Sequence, residues 1–184
     1  MNQIQLLGIA GSLRKGSYNR KLLQIIHRRI PGDVEMEIHY LDEIPLYNMD
    51  IEKEGFPEAV KNFQALVSSC DGIIIASPEY NYGIPGVLKN AIDWTSRPFD
   101  QNPFDKKPCA ICSASASQFG GARAQQHLRQ VLSAIGMLVM PQPELYIPKA
   151  QNIFDENQEI NETTLKRIDK LIASFIVFIK KHKA

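Results

Sequence analysis

The hydrophobic positions along the chain alternate between short apolar runs and longer stretches with a helical period. Residues 4–10 form an apolar run that ends in a glycine-containing turn, and residues 72–76 are aliphatic throughout, which is typical of a central strand in a parallel sheet. Residues 34–40 alternate apolar side chains with glutamate and histidine, which predicts a strand with one wetter face. Residues 108–113 and 137–140 complete a set of five predicted strands.

Apolar residues at intervals of three and four predict a helix after each of these strands. The predicted helices lie at residues 22–30, 60–70, 86–96, 124–135 and 165–179. Pro31 and Gly32 end the first of them, and Gly136 is placed to cap the fourth. Two irregular stretches, residues 41–55 and 97–107, are interpreted as surface loops. Five strands separated by helices predict an α/β protein with a doubly wound parallel sheet.

Composition narrows the class of protein further. The 184 residues are 44% hydrophobic and 22% charged, which indicates one globular domain over residues 1–184. The 21 basic and 20 acidic residues leave a net charge of +1, which argues against a general nucleic-acid binder. Three cysteines do not form a complete disulfide framework. No cationic region precedes the first apolar run and no apolar run approaches the ~20 residues of a membrane span, so we expect a cytoplasmic protein.

The segment after the first predicted strand has the residues of an anion-binding site. Residues 11–19 read Gly-Ser-Leu-Arg-Lys-Gly-Ser-Tyr-Asn and lead into a predicted helix. The hydroxyls of Ser12 and Ser17, the guanidinium of Arg14 and the N–H groups of the helix start can together bind a terminal phosphate. No lysine follows Gly16, as a Walker A loop requires, which disfavours a nucleotide hydrolase or kinase. Alternatively, Ser17 or Asn19 only caps the helix and Arg14 is solvated.

Two further segments follow the third and fourth predicted strands. Residues 77–85 have the sequence Ser-Pro-Glu-Tyr-Asn-Tyr-Gly-Ile-Pro, in which two tyrosines flank an asparagine. The tyrosines can stack on a flat heterocycle, and the asparagine amide can form hydrogen bonds with its edge. The tyrosines could equally cover the edge of the sheet. Residues 113–121 are rich in serine, alanine and glycine, which lets a ligand approach the backbone but also suits a flexible connection. Ligands of open α/β sheets bind at the carboxyl ends of the strands, where these segments lie.

The segments at residues 11–19 and 77–85 resemble the NAD(P)H-dependent FMN reductase family, which includes flavodoxin-like quinone and chromate reductases. The resemblance continues through residues 86–94 and 120–123. It implies a flavodoxin-like five-stranded sheet of order 2-1-3-4-5. It also implies an FMN-dependent oxidoreductase, in which NADH or NADPH reduces the flavin and a quinone or another small molecule accepts the electrons. The alternative is a non-enzymatic FMN-binding electron-transfer protein, which the near-neutral charge disfavours.

The resemblance also implies roles for individual residues. Those expected at the FMN phosphate are Ser12, Arg14, Ser17 and Asn19. Those expected beside the isoalloxazine ring are Pro78, Glu79, Tyr80, Asn81 and Ser115. No side chain is assigned as acid, base or nucleophile, because the flavin carries the chemistry. The resemblance implies a homodimer or homotetramer, which is also favoured because Tyr82 and Trp94 have no evident place in a monomeric core.

Cys109 and Cys112 raise the question of a metal or redox site. They lie within a predicted buried strand, where side chains three residues apart point to opposite faces of the sheet. No histidine is spaced near them as a further ligand. We therefore expect two core cysteines and no metal site.

Overall fold

The computed structural model describes residues 3–154 and 160–182 of the chain. Its centre is a parallel sheet of order β2-β1-β3-β4-β5, with a further short strand, β6, beside β4. The strands are β1 (Ile4–Ala10), β2 (Val34–Tyr40), β3 (Gly72–Ala76), β4 (Pro108–Ala114), β5 (Leu138–Val139) and β6 (Leu145–Ile147). The strand order that the resemblance implies is confirmed.

Helices cover both faces of the sheet. They are α1 (Tyr18–Arg29), α2 (Met49–Glu54), α3 (Glu58–Ser69), α4 (Gly86–Thr95), α5 (Ala122–Ala134), α6 (Ala150–Ile153) and α7 (Glu162–His182). Ile74 of β3 packs in the core beneath α1 and α7, whereas Ile73 and Ile75 pack beneath α3, α4 and α5. Burial on both faces is the reason that β3 is aliphatic throughout. Over the described ranges, no helix is both long and apolar enough to cross a membrane.

The fifth position of the sheet differs from the prediction. β5 pairs only with Pro108 and Cys109 of β4, and the later residues of β4 pair instead with β6. The chain leaves the sheet between β5 and β6, over residues 140–144, which include Pro141 and Pro143. Proline has no N–H group to donate to a neighbouring strand, so an uninterrupted fifth strand cannot form here.

The irregular stretch of residues 41–55 contains a helix, α2, and covers Trp94. The indole N–H of Trp94 and the amide of Asn90 both donate to the carbonyl of Pro45, at 2.9 and 2.8 Å. Trp94 is fully buried. The expectation that Trp94 has no place in a monomeric core is therefore wrong, because a segment distant in sequence supplies its cover.

Cys109 and Cys112 lie on opposite faces of the sheet, as their spacing predicts. Cys109 packs beneath α3, α4 and α5, and Cys112 packs beneath α1 and α7. Both are fully buried, and burial raises the pKa of both thiols, so they are neutral at physiological pH. Within residues 3–154 and 160–182, no group of three or more metal-ligating side chains is found.

Candidate functional site

Three loops meet at the carboxyl ends of β1, β3 and β4 and surround a cavity of about 170 Å³. They are the first loop (residues 11–17), the second loop (residues 77–85) and the third loop (residues 115–121). Backbone hydrogen bonds align them, because the N–H of Gly11 donates to Ala76 at 2.9 Å and the N–H of Ser77 donates to Cys112 at 3.0 Å. The cavity therefore lies where open α/β sheets bind their ligands.

Eight of the nine site residues predicted from the sequence line this cavity. They are Ser12, Arg14, Ser17, Asn19, Pro78, Glu79, Tyr80 and Ser115. The ninth, Asn81, is exposed and does not belong to the lining. Tyr18, Ala114 and Ala116 complete the lining and were missed, because an aromatic residue at a helix start and alanines at or just after a strand end carry no distinctive signal.

The first loop carries hydrogen-bond donors in and beside the cavity. Ser17 caps α1, since its hydroxyl oxygen accepts from the N–H groups of Asn19 and Arg20 at 3.2 and 3.5 Å. Capping uses only the lone pairs of the oxygen, so the hydroxyl hydrogen can still be donated to a ligand. Within the described ranges, the backbone N–H groups of Lys15 and Gly16 have no hydrogen-bond partner. This donor set matches a phosphate or another small anion.

Two arginines beside the first loop have different environments. The guanidinium of Arg14 is exposed, lies 5.4 Å from the centre of the Tyr18 ring, and has no carboxylate partner among the described residues. Arg20 instead donates to the carbonyl of Ser12 at 2.9 Å and to Asp42 at 2.7 Å. Arg14 therefore carries the charge available to an anion, whereas Arg20 supports the loop backbone. Sequence reasoning missed Arg20, whose only signal is its position three residues after Ser17.

Asn19 joins α1 to the end of β4. Its side-chain N–H donates to the carbonyl of Ala114, and its side-chain oxygen accepts from the N–H of Ala114, both at 2.9 Å. Asn19 is buried, so this pair of bonds satisfies two backbone groups that water does not reach. The residue holds the first and third loops at a fixed separation, and one amide hydrogen stays available for the phosphate contact that the resemblance implies.

The second loop makes a tight turn. Tyr80 and Gly83 exchange backbone hydrogen bonds of 3.1 and 3.0 Å, and the two residues between them have positive φ angles, +49° at Asn81 and +64° at Tyr82. The left-handed region is uncommon for a bulky residue such as tyrosine, and strain of this kind accompanies functional sites.

The two tyrosines of this turn have separate environments. The hydroxyls of Tyr80 and Ser12 lie 3.4 Å apart across the cavity. The ring of Tyr82 instead stacks on the guanidinium of Arg123 at 4.1 Å, with Phe119 at 4.4 Å from the same guanidinium. Only Tyr80 is thus placed to contact a ligand in the cavity.

Glu79 caps a helix across the cleft. One carboxylate oxygen accepts from the N–H groups of Arg123 and Ala124 at 2.9 and 3.2 Å, in the first turn of α5. The residue at the cap position itself is Gly121, which has no side chain to do this. Glu79 is therefore neither a solvated surface charge nor a free carboxylate, and it joins the second loop to the helix that follows the third.

We expect Glu79→Ala to lower the free energy of unfolding by about 1–2 kcal/mol, because the cap and its favourable interaction with the helix dipole are lost. Urea denaturation of the two proteins measures this difference. Glu79→Gln is the matched control, since its amide oxygen still accepts both hydrogen bonds and only the charge is removed. Equal stability of Glu79→Ala and the parent protein would contradict the capping role.

Comparison with known proteins places the chain in a family. The family model described as NADPH-dependent FMN reductase matches residues 4–152. An NAD(P)H-dependent FMN reductase of Pseudomonas aeruginosa is 49% identical over 154 residues, which are 84% of this chain and 83% of that protein. A quinone reductase of Escherichia coli K12 is 38% identical over 185 residues, with 98% of each chain covered.

A solved structure agrees with these sequence matches. The flavoenzyme NAD(P)H:(acceptor) oxidoreductase of Paracoccus denitrificans superposes with a TM-score of 0.87 at 33% identity, over 97% of this chain and 98% of that chain. A protein of Agrobacterium tumefaciens described as a flavodoxin, WrbA-like protein, shares the fold at 16% identity and a TM-score of 0.66. The protein therefore belongs to the NADPH-dependent FMN reductase family.

Proposed function

We propose that this protein is an FMN-dependent oxidoreductase that transfers electrons from NADH or NADPH to a quinone or a similar small acceptor. The observation that carries the proposal is the cavity in which Ser12, Ser17 and Arg14 face Tyr80 and the third loop. Family membership and the quinone reductases among the relatives support it. Because those relatives are enzymes by name, the enzyme is proposed rather than the electron carrier.

The residues around the cavity fit FMN in two separate ways. The exposed N–H groups of Lys15 and Gly16 beside the cavity, the capping hydroxyl of Ser17 and the guanidinium of Arg14 suit a dianionic phosphate, which riboflavin lacks. The second and third loops offer backbone and small side chains at the opposite side of the cavity, where a flat ring can lie close to the main chain. We therefore assign Ser12, Arg14 and Ser17 to the phosphate, and Pro78, Tyr80 and Ser115 to the ring.

The chain contributes binding and orientation to the reaction. Bound FMN would supply the redox chemistry, which is hydride transfer from the nicotinamide and two-electron transfer to the acceptor. Arg14 and the N–H groups of the first loop hold the phosphate end, and Asn19 fixes the spacing between that end and the third loop. Glu79 and Arg20 are bound to backbone groups and so support the loops rather than the reacting molecules.

Donor and acceptor are expected to use the open face of the bound flavin in turn, because the flavin would fill the cavity between the three loops and leave one face for both. Initial rates measured with NADPH and benzoquinone should therefore give parallel lines in double-reciprocal plots, as the oxidised nucleotide leaves before the quinone enters. When the nucleotide is the varied substrate, replacing NADPH by NADH should change the common slope of the lines but keep them parallel. Intersecting lines would indicate a ternary complex and a separate nucleotide site. Absence of any FMN-dependent quinone reduction would overturn the proposed function itself.

We also propose that the protein forms at least a homodimer. Leu46 and Phe99 are 81% and 68% exposed, and burial of such large apolar side chains favours association. Light scattering should give at least twice the 20.8 kDa mass of one chain. A monomer with full activity would contradict this proposal.

A cytoplasmic location is proposed as well. The three cysteines are unpaired and buried, and reduced thiols of this kind are typical of a reducing compartment.

A further inference from the structure

A chain of buried hydrogen bonds leads from the protein interior to the third loop. Gln125 of α5 and Ser113 of β4 are both fully buried, with 0% of either side chain exposed. The amide of Gln125 donates to the hydroxyl of Ser113 at 2.7 Å and to the carbonyl of Leu145 at 2.9 Å. The hydroxyl of Ser113 in turn donates to the carbonyl of Gly120 at 2.5 Å. These bonds connect α5, β4 and β6 with the end of the third loop.

This chain of bonds comes at a cost to the core. The side-chain oxygen of Gln125 is buried and has no hydrogen-bond partner among the residues that the structure describes. A buried oxygen without a partner loses its hydration and gains nothing in return. A methionine would fill a similar volume without that penalty. The two hydrogen bonds that its amide donates to Ser113 and Leu145 therefore offset this cost and orient the groups that they join.

The bonds fix a backbone conformation that the third loop needs. Gly120 and Gly121 have φ angles of +61° and +89°, and a Cβ atom at Gly121 would lie 2.8 Å from the Cβ of Ser113. Ser113 thus contacts one glycine and bonds to the carbonyl of the other. At its other end the loop is held by the N–H of Ser115, which donates to Ile147 at 3.0 Å. The third loop is therefore anchored at both of its ends.

We propose that Ser113 and Gln125 are positioning residues for the flavin site. Ala114, Ser115 and Ala116 form the wall of the cavity on the side assigned to the ring, whereas neither Ser113 nor Gln125 reaches the cavity. The two residues act through the third loop, by holding this wall at the separation that a flat ring requires. The proposal rests on the proposed FMN-dependent function.

The test compares the affinities of two flavins for each variant. Ser113→Ala and Gln125→Met should each raise the dissociation constants of FMN and riboflavin by the same factor, roughly tenfold, because a loosened ring wall affects both ligands equally. The midpoint potential of the bound FMN should shift as well, since backbone groups beside the ring are displaced. Affinity is measured by quenching of flavin fluorescence, and urea denaturation gives the folded fraction of each protein.

Thr95→Val is the matched control, because Thr95 is fully buried, its hydroxyl has no partner among the described residues, and it ends α4 outside the three loops and the cavity lining. Its flavin affinities and potential should equal those of the parent protein. Ser113→Ala removes a single oxygen atom, so it decides the matter if Gln125→Met folds poorly. Unchanged affinities and potential in Ser113→Ala, or a loss confined to FMN, would overturn the positioning role. If the parent protein binds neither flavin, the proposed function fails instead.

Discussion

Replacing Asn19 by alanine is expected to lower the free energy of unfolding by about 2–5 kcal/mol, because the N–H and the carbonyl of Ala114 are both left buried without partners. The same change should weaken FMN and riboflavin together, since the first and third loops lose their fixed separation. Urea denaturation followed by flavin titration of the folded protein measures both effects.

Asn102→Ala serves as the control for this prediction. Asn102 also binds backbone groups with its side chain. Its side-chain N–H donates to the carbonyl of Ile135 at 2.8 Å, and its side-chain oxygen accepts from the N–H of Phe104 at 3.0 Å. It lies outside the three loops, so its replacement should reduce stability and leave flavin affinity unchanged. If Asn19→Ala kept full stability and lost only FMN, Asn19 would be a phosphate ligand and not a structural link.

Arg14→Ala is expected to weaken FMN binding by roughly tenfold to a hundredfold, because one charge-assisted contact with the phosphate is lost. Riboflavin has no phosphate, so its affinity should not change, and the preference for FMN should shrink by the same factor. Isothermal calorimetry of the apoprotein with each flavin measures the two constants. Higher salt should reduce the difference between Arg14→Ala and the parent protein, because the guanidinium is exposed.

One further variant separates charge from geometry at this position, and a second removes a remote cation as a control. Arg14→Lys retains the positive charge but not the planar fork, and we expect an intermediate affinity. Arg28→Ala removes one exposed cation from the far end of α1 and should leave FMN affinity as it is. An Arg14→Ala protein that binds FMN as tightly as the parent would return Arg14 to a solvated surface role.

The alternation of strands and helices could be predicted because each element carries its own periodicity. β3 is aliphatic since both its faces are buried, and α5 ends at Ala134, two residues before Gly136, whose φ angle is +84°. The split between β5 and β6 was not predicted, because it depends on where the prolines of residues 140–144 fall relative to β4. The place of Trp94 was also missed, since its cover lies 49 residues away in sequence.

The composition of the site could be predicted, but the hydrogen-bonding roles of its residues could not. The sequence of residues 11–19 was enough to predict that Ser12, Arg14 and Ser17 share one site, and all three line the cavity. The capping of α5 by Glu79 and the pairing of Asn19 with Ala114 span 44 and 95 residues of chain. A single sequence holds no signal for bonds of that range. For the same reason Gln125 gave no sign that its amide reaches β4 and β6.

The most direct test of the central claim is an anaerobic spectrum of the purified protein loaded with FMN. The account predicts that NADPH bleaches the visible absorbance band of the bound flavin and that benzoquinone, added next, restores it. The protein should also retain FMN but not riboflavin through gel filtration, because the first loop binds the phosphate. A protein that does not retain FMN, or whose bound flavin stays oxidised in the presence of NADPH, would contradict the account.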